Sequence, residues 1–287
     1  MKTKSCFLAK AMFTLSIGAP VVSYGAVIEG TDLHSANGEN AAINAIFLGN
    51  RGNGGDQSMQ FGDHLTGTAE NDVIIGGLGI DVIFGKDGDD VILGGTEDFN
   101  PFNRDRAFGN AGNDIFVWAP GDGNDFFDGG TGTDTLVIGL VGEKTDSEGS
   151  ESEVPVFNVN LPGTEGSQDF DGVFLSESGF PFVQLDGPGF CEVLDRTSVA
   201  PDGSDQYISD LNLDHLVRFS IKGVADNFEA GIGMDTGLRI SVHLKNTEFV
   251  ICENRDGDSI DVFDLRTSPI TQAEESDLPQ IVFDLLD

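Results

Sequence analysis

Basic residues are scarce in this chain: 15 Lys and Arg stand against 49 Asp and Glu, for a formal net charge of -34. That shortage excludes nucleic-acid backbones and anionic lipid surfaces as partners, because phosphates would be repelled rather than neutralised. Histidine is nearly as rare. His34, His64, His215 and His243 are scattered, and no pair of them has metal-ligand spacing. Neither H-E-x-x-H nor G-x-S-x-G occurs, which removes two common hydrolase signatures. Glu151 and Glu153 sit in a charged stretch where nothing would hold them for acid–base work. Long hydrophobic runs are missing as well: beyond the first residues, no stretch approaches the roughly 20 apolar residues of a membrane-spanning helix. Tryptophan occurs once, tyrosine twice and cysteine three times.

Glycine, by contrast, is abundant, and it falls in a frame. Residues 67–93 read GTAENDVII GGLGIDVIF GKDGDDVIL, three nine-residue units laid end to end. Glycine opens each unit, aspartate is sixth (Asp72, Asp81, Asp90) and isoleucine is eighth (Ile74, Ile83, Ile92). The frame resumes after a loop inserted around Asn100 and Pro101, with Asp105 sixth and Ala107 eighth. It continues at 109–117 with Asp114 and Phe116, and at 129–137 with Asp134 and Leu136. Between these, 118–128 is irregular but keeps Gly121, Gly123, Asp125 and Phe127; upstream, 58–66 lacks the opening glycines yet places Asp63 and Leu65 in frame. A period of nine is too short for a helical repeat and suits a turn followed by a short strand, two units to a coil. Glycine supplies the positive backbone dihedrals of such turns and lets their carbonyls face inward. Generic Gly/Asp turns between strands are the alternative, but hairpin turns do not keep a nine-residue frame.

The pattern G-G-x-G-x-D-x-U-x, with U a large apolar residue, resembles the RTX family of calcium-binding nonapeptide repeats. The resemblance implies an all-β fold with a parallel β-roll and Ca2+ as the bound ion. The candidate ligands are then Gly67 and Asp72; Gly76, Gly77, Gly79 and Asp81; and Gly85, Gly88 and Asp90. Further along they are Gly94 and Asp105; Gly109, Gly112 and Asp114; Asp125; and Gly129, Gly130, Gly132 and Asp134. Calcium takes six to eight oxygens, so one turn supplies only part of the shell and a stacked turn supplies the rest. Family architecture implies that the stacked partner lies two units along, so Asp72 would share a column with Asp90 and Asp81 would sit opposite. Units at 76, 85, 109 and 129 read as sites; those at 58, 67, 94 and 118 read equally as strand-forming units with an incomplete site. Between 58 and 137 fifteen acidic residues face three basic ones. Stacked carboxylates without counter-ions push coils apart, which predicts a roll that orders when calcium binds. Asp87, Asp89 and Glu70, outside the sixth positions, are expected to be plain solvated acids.

Residues 1–26 carry Lys2, Lys4 and Lys10, an apolar run AMFTLSIGAPVV and small residues, the layout of a signal peptide with cleavage after Gly25 or Ala26. Residues 27–57 read as an N-terminal cap on the 58–141 roll, since an uncovered coil end exposes a strand edge. The charged stretch 142–153 reads as a linker. Beyond it, 154–287 holds short Val-, Phe- and Ile-rich runs between Gly/Pro/Asp turns, which predicts a β-sandwich-like C-terminal domain able to bury its own core. With Cys6 in the signal segment, Cys191 and Cys252 remain as an even pair in an oxidising setting, which predicts a disulfide between them; two buried thiols are the alternative. Asp256, Asp258 and Asp261 lack the continuation of an EF-hand loop and read as an ordinary turn. The end IVFDLLD resembles a C-terminal export signal of RTX proteins, whereas the N-terminal layout implies a different route. Taken together these features predict a secreted, extracellular, Gram-negative bacterial calcium-binding protein with an adhesion, matrix or structural role and a possible cell-surface or matrix polymer as partner. A secreted hydrolase whose site in the C-terminal domain has no recognisable signature is the alternative.

Overall fold

The structure, a computed structural model, describes residues 25–30, 63–77, 80–95, 104–119, 122–145, 170–185, 189–200, 203–221, 240–254 and 259–286. The signal layout up to residue 24, most of the expected cap, Gly79, Gly121, the inserted loop around Asn100, the linker beyond residue 145, and Asp256 and Asp258 lie outside them.

Strands are numbered in chain order. One sheet contains β1 (Val27–Glu29), β3 (Val73–Ile75), β5 (Val91–Leu93), β7 (Ile115–Trp118), β9 (Thr135–Ile138), β17 (Phe249–Glu253), β18 (Ile260–Asp264) and β19 (Thr271–Gln272), hydrogen-bonded in that order. The facing sheet runs β14 (Gly189–Leu194), β15 (His215–Ile221), β16 (Ile240–Lys245), β8 (Phe126–Thr131), β6 (Arg106–Ala111), β4 (Val82–Asp87) and β2 (His64–Thr66). Two small antiparallel pairs, β10 (Leu140–Val141) with β13 (Val183–Gln184) and β11 (Glu143–Thr145) with β12 (Phe170–Val173), lead out of the roll.

The nine-residue frame explains the first half of this order. Each unit makes one short strand and the next unit makes a strand in the opposite sheet, so every second unit lands beside its predecessor in parallel. Eighth positions then line up: Ile74 pairs with Ile92, Ile92 with Phe116 and Phe116 with Leu136 in one sheet. In the other, Leu65 pairs with Ile83, Ile83 with Ala107 and Ala107 with Phe127. These residues point between the sheets and form its buried core, where the Phe116 and Phe127 rings stack 5.3 Å apart. The seventh and ninth residues of the first sheet face the other way, so Val73, Ile75, Val91, Leu93, Ile115 and Val117 build a second core on its outer side. A short helix, α2 (Gln280–Leu286), covers that side with Ile281, Val282 and Leu285; α1 (Gln206–Asp210) packs near β15.

The C-terminal strands make sheet packing as expected, but they do so within the roll's own sheets. β16 joins β8 in parallel and β17 joins β9 in parallel, after which both sheets continue antiparallel. Val217, Phe219, Val242, Leu244 and Val250 lie in the same core as Ile74 and Ile92. Residues of 154–287 therefore contribute to the roll's core, and Leu194, Ala200, Ile208, Leu213 and Leu216 add a smaller cluster: the last coil of the roll offers two unpaired strand edges, and pairing with them satisfies backbone groups that a separate sandwich would leave exposed. At the other end β1 pairs with β3 in parallel. Of the end IVFDLLD, which resembled an export signal, residues 281–286 belong to α2 against the outer core.

Cys191 and Cys252 form a disulfide, their Cα atoms 6.2 Å apart. It ties β14 in one sheet to β17 in the other. Among the described residues no helix is long and apolar enough to cross a membrane.

Candidate metal centre

The turns between the sheets bring the sixth-position aspartates into two columns. In the first, the amide of Asp72 donates to Asp90 Oδ1 at 2.7 Å, that of Asp90 to Asp114 Oδ1 at 2.9 Å and that of Asp114 to Asp134 Oδ1 at 2.8 Å. On the opposite side the amide of Asp63 donates to Asp81 Oδ1 at 2.5 Å, that of Asp81 to Asp105 Oδ1 at 2.6 Å and that of Asp105 to Asp125 Oδ1 at 2.8 Å. Chain separations of 18, 24 and 20 residues produce the same bond, so the inserted segments are looped out without disturbing the stack. Asp72 and Asp90 share a column and Asp81 lies across from them, as the repeat implies.

One carboxylate oxygen is used by this ladder; the other turns inward. Asp90, Asp114 and Asp134 are fully buried, and the Oδ2 of each lacks a hydrogen-bond partner. An unpartnered buried acceptor carries its full desolvation penalty, and a charged one more. Each such oxygen faces the glycine that opens its own unit: a Cβ on Gly85, Gly109 or Gly129 would lie within 3.0 Å of Oδ2 of Asp90, Asp114 or Asp134. The same added atom would meet the carbonyl oxygen of the opening residue in the next coil, as Gly109 O over Gly85 and Gly129 O over Gly109. Gly67 and Gly76 are enclosed likewise by Gly85 O and Gly94 O. Glycine keeps open a space lined by carbonyls and a carboxylate. The fourth-position glycines are required for a second reason: Gly88, Gly112 and Gly132 have φ of 118°, 142° and 143°, where side chains are strained. Gly77 and Gly130 occupy the left-handed second position, which Lys86 and Asn110 fill in the sister turns.

Electrostatics follow the burial. Desolvation pushes the Asp90 carboxyl up to about 7, Asp114 to about 8 and Asp134 to about 7, against the backbone hydrogen bond each accepts. Neighbouring carboxylates push the same way: Asp72 and Asp89 on Asp90, Asp90 and Asp134 on Asp114, and Glu248 on Asp134. A divalent cation beside Oδ2 removes this penalty by supplying opposite charge, and hard oxygen donors of this kind suit calcium. The residues fit the ion.

Some site residues escaped the sequence reading. Asp122, in the irregular unit, lies buried beside Asp105 and Asp125, with one ligand atom of each within 4.8 Å of the others. The spacing D-G-N-D at 122–125 was the available signal. Glu248 accepts the Asp134 amide at 2.7 Å and so ends the first column from 114 residues away, with no periodic signal to find it. Asp89 is corrected from a solvated acid to a ladder member: its amide donates to Asn71 Oδ1 at 2.9 Å and its Oδ1 accepts the Asn113 amide at 2.7 Å. Asp87 and Glu70 are exposed, as expected.

Two parallel sheets joined by glycine turns, with carboxylate columns directed into those turns, define a calcium-binding β-roll. The sequence agrees: the family profile described as the RTX calcium-binding nonapeptide repeat, in 4 copies, matches residues 62–98, 103–117 and 121–137. This segment consists of RTX repeats and makes the chain a calcium-binding one. No curated protein matches the chain, and no solved structure does.

Proposed function

We propose that this is an exported protein whose roll orders when Ca2+ binds, and that it serves an adhesive, matrix or structural purpose outside a Gram-negative cell rather than an enzymatic one. The carrying observation is the set of buried, unpartnered carboxylate oxygens in the first column. Asp72, Asp90, Asp114 and Asp134 on one side, and Asp81, Asp105 and Asp125 on the other, are the carboxylate ligands in this reading. Carbonyls of the opening and turn glycines, from Gly67 and Gly76 to Gly129 and Gly132, are the neutral ones. Export is supported by the signal layout of 1–26 and by a disulfide, which persists in oxidising surroundings. A cell-surface or matrix polymer is the proposed partner of the C-terminal half, and calcium-dependent retention on the producing cells is its test.

The hydrolase alternative has one contact in its favour, Ser241 Oγ at 3.2 Å from His243 Nε2. These side chains are two apart on one face of β16, the hydroxyl also lies 3.4 Å from Asn124 Oδ1, and burial holds the imidazole below its usual range. Adjacent side chains on one strand face meet in this way without catalysis.

The deciding experiment is a calcium titration of the mature chain, followed by far-ultraviolet circular dichroism and by fluorescence of Trp118. A β signal that grows with calcium and vanishes with chelator is expected; a spectrum indifferent to both overturns the reading.

A further inference from the structure

Residues 246–248 occupy the place of one more repeat turn, although the nonapeptide pattern ended more than a hundred residues earlier in the chain. β16 and β17 continue the two sheets in parallel beyond β8 and β9, which makes them a further coil. The turn between them reproduces the contacts of the repeat turns below it. Asn246 O lies against Gly129 as Gly129 O lies against Gly109, each within 3.0 Å of where a Cβ would stand. Glu248 Oε2 accepts the Asp134 amide at 2.7 Å, as Asp134 Oδ1 accepts that of Asp114 at 2.8 Å. The amides of Glu248 and Phe249 donate to Asp134 O at 2.9 and 3.0 Å, as the amide of Thr135 donates to Asp114 O at 2.9 Å.

The turn is shorter than a repeat turn. Asp134 follows Gly129 by five positions, whereas Glu248 follows Asn246 by two. A carboxylate on the longer glutamate side chain bridges the difference. Asn246 takes the positive φ of 46° that the tight turn needs, and its side chain bonds Asp128 Oδ1 at 2.7 Å. Beneath it the buried Asp134 Oδ2, unpartnered, faces the same Gly129 that Asn246 O overhangs. Arg266, whose charge acts on Glu248, is engaged with Asp264 through two hydrogen bonds of 2.8 Å and lies over the Phe249 ring.

We propose that Glu248 and the Asn246 carbonyl close a calcium site against Asp134 and the turn at 129–134, outside the repeats, and that the ion held there fastens the C-terminal hairpin to the roll. The proposal rests on the calcium reading of the roll. Because the short turn brings fewer carbonyls, this site is weaker than the internal ones.

Glu248→Gln tests it on the full mature chain, since glutamine keeps a hydrogen-bond acceptor for the Asp134 amide while removing the charge. Isothermal titration with calcium should record about one ion fewer than the unaltered chain, or one step weakened at least tenfold, with the other steps unmoved. Equal stoichiometry and affinity would leave Glu248 as a hydrogen-bonding cap only and overturn the proposal, with the calcium reading intact. Absence of calcium binding by both proteins would overturn the two together. Should the variant not fold, crystals of the unaltered chain grown with terbium decide: an anomalous peak between Asp134 and Glu248 supports the site, and peaks confined to the repeats overturn it.

Discussion

The same two sheets are held together differently in their two halves. From 63 to 138 the strands are parallel and their turns carry acid stacked on acid. From 189 onward the strands pair antiparallel with one another, joining β8 and β9 in parallel only through β16 and β17, and this half carries the ion pairs Arg196–Asp214, Arg218–Glu192 and Arg266–Asp264 together with the disulfide. The difference teaches that a shared core does not imply a shared source of stability. In the roll, burying apolar residues at every eighth position brings carboxylates together at every sixth, so packing and charge repulsion rise with each coil. The C-terminal half has no such coupling.

Removing calcium is expected to have the largest effect, because it acts on every turn at once. Each independent site contributes about 2.7 kcal/mol when free calcium is a hundred times its dissociation constant. The strands of the C-terminal half pair directly with β8 and β9, so chelation should disorder them along with the roll. Trp118 reports this, being buried with its ring 4.9 Å from that of Phe219 on β15. Circular dichroism and Trp118 fluorescence should therefore change together at one chelator concentration. A fluorescence change that lags the loss of β signal would mean that the halves unfold separately.

Reduction comes second. The bridge closes a separation of 61 residues, and opening it in the presence of calcium should lower stability by about 4 kcal/mol in the chain-entropy model. That corresponds to roughly 10 °C in melting temperature for a chain of this size. Calorimetry in calcium, with and without reductant, should move a single transition, since the bridge spans the two sheets that the roll also uses. Movement of only one of two transitions would place a domain boundary near residue 142.

Protonation separates the halves by sign. Without calcium, the folded chain binds protons at Asp90, Asp114 and Asp134 up to about pH 7, 8 and 7, whereas the unfolded chain releases them near the ordinary aspartate value of 3.8. These carboxyls therefore oppose folding progressively as pH rises from about 4 to about 8. Calcium reverses the trend, because it must displace those protons to bind: affinity should rise over the same window and binding should release protons. Asp114→Asn sharpens the test, lowering stability in calcium and raising it in chelator at about pH 8, by a few kcal/mol each way. Denaturant titrations of parent and variant in calcium and in chelator check it; a variant destabilised in both would show that the Asp114 hydrogen bonds outweigh its charge.

What could be read from the sequence was what repeats. The two columns, the glycine turns and the inward eighth positions follow from a period of nine, because a period converts one local geometry into a stack. Asn246 and Glu248 have no period and were invisible, and Asp122 falls outside the frame with only the spacing D-G-N-D to mark it, although the stack depends on groups in their positions at its irregular coil and its end. Sheet sharing was hidden for a related reason: a Val- and Phe-rich run such as FVIC declares a strand but not the edge it joins. The helix 280–286 is too short for periodicity to separate it from a strand, and only the outer face of Val73, Val91 and Ile115 explains it.

Asp87 and Asp89 make the smallest and finest comparison, two acids two residues apart that looked alike in sequence. Asp87 ends β4 exposed, among the acids of a roll that already carries too many. Replacing it with alanine should change stability by no more than about 0.5 kcal/mol in calcium. Asp89 is half-buried, and its Oδ1 accepts both the Asn113 amide at 2.7 Å and Asn113 Nδ2 at 3.1 Å. It links Asn71, through its own amide, to Asn113, whose Oδ1 accepts the Thr133 amide at 3.0 Å. Asp89→Ala leaves two donors of Asn113 without their acceptor and should lower stability by about 1–2 kcal/mol, each hydrogen bond contributing about 1 kcal/mol net. Asp89→Asn keeps the acceptor and removes a charge that also repels Asp90 and Asp114. It should recover most of that loss in calcium and exceed the parent in chelator. Equal losses for Asp87→Ala and Asp89→Ala in denaturant titrations would mean that the second ladder contributes nothing and that Asp89 acts only through its charge.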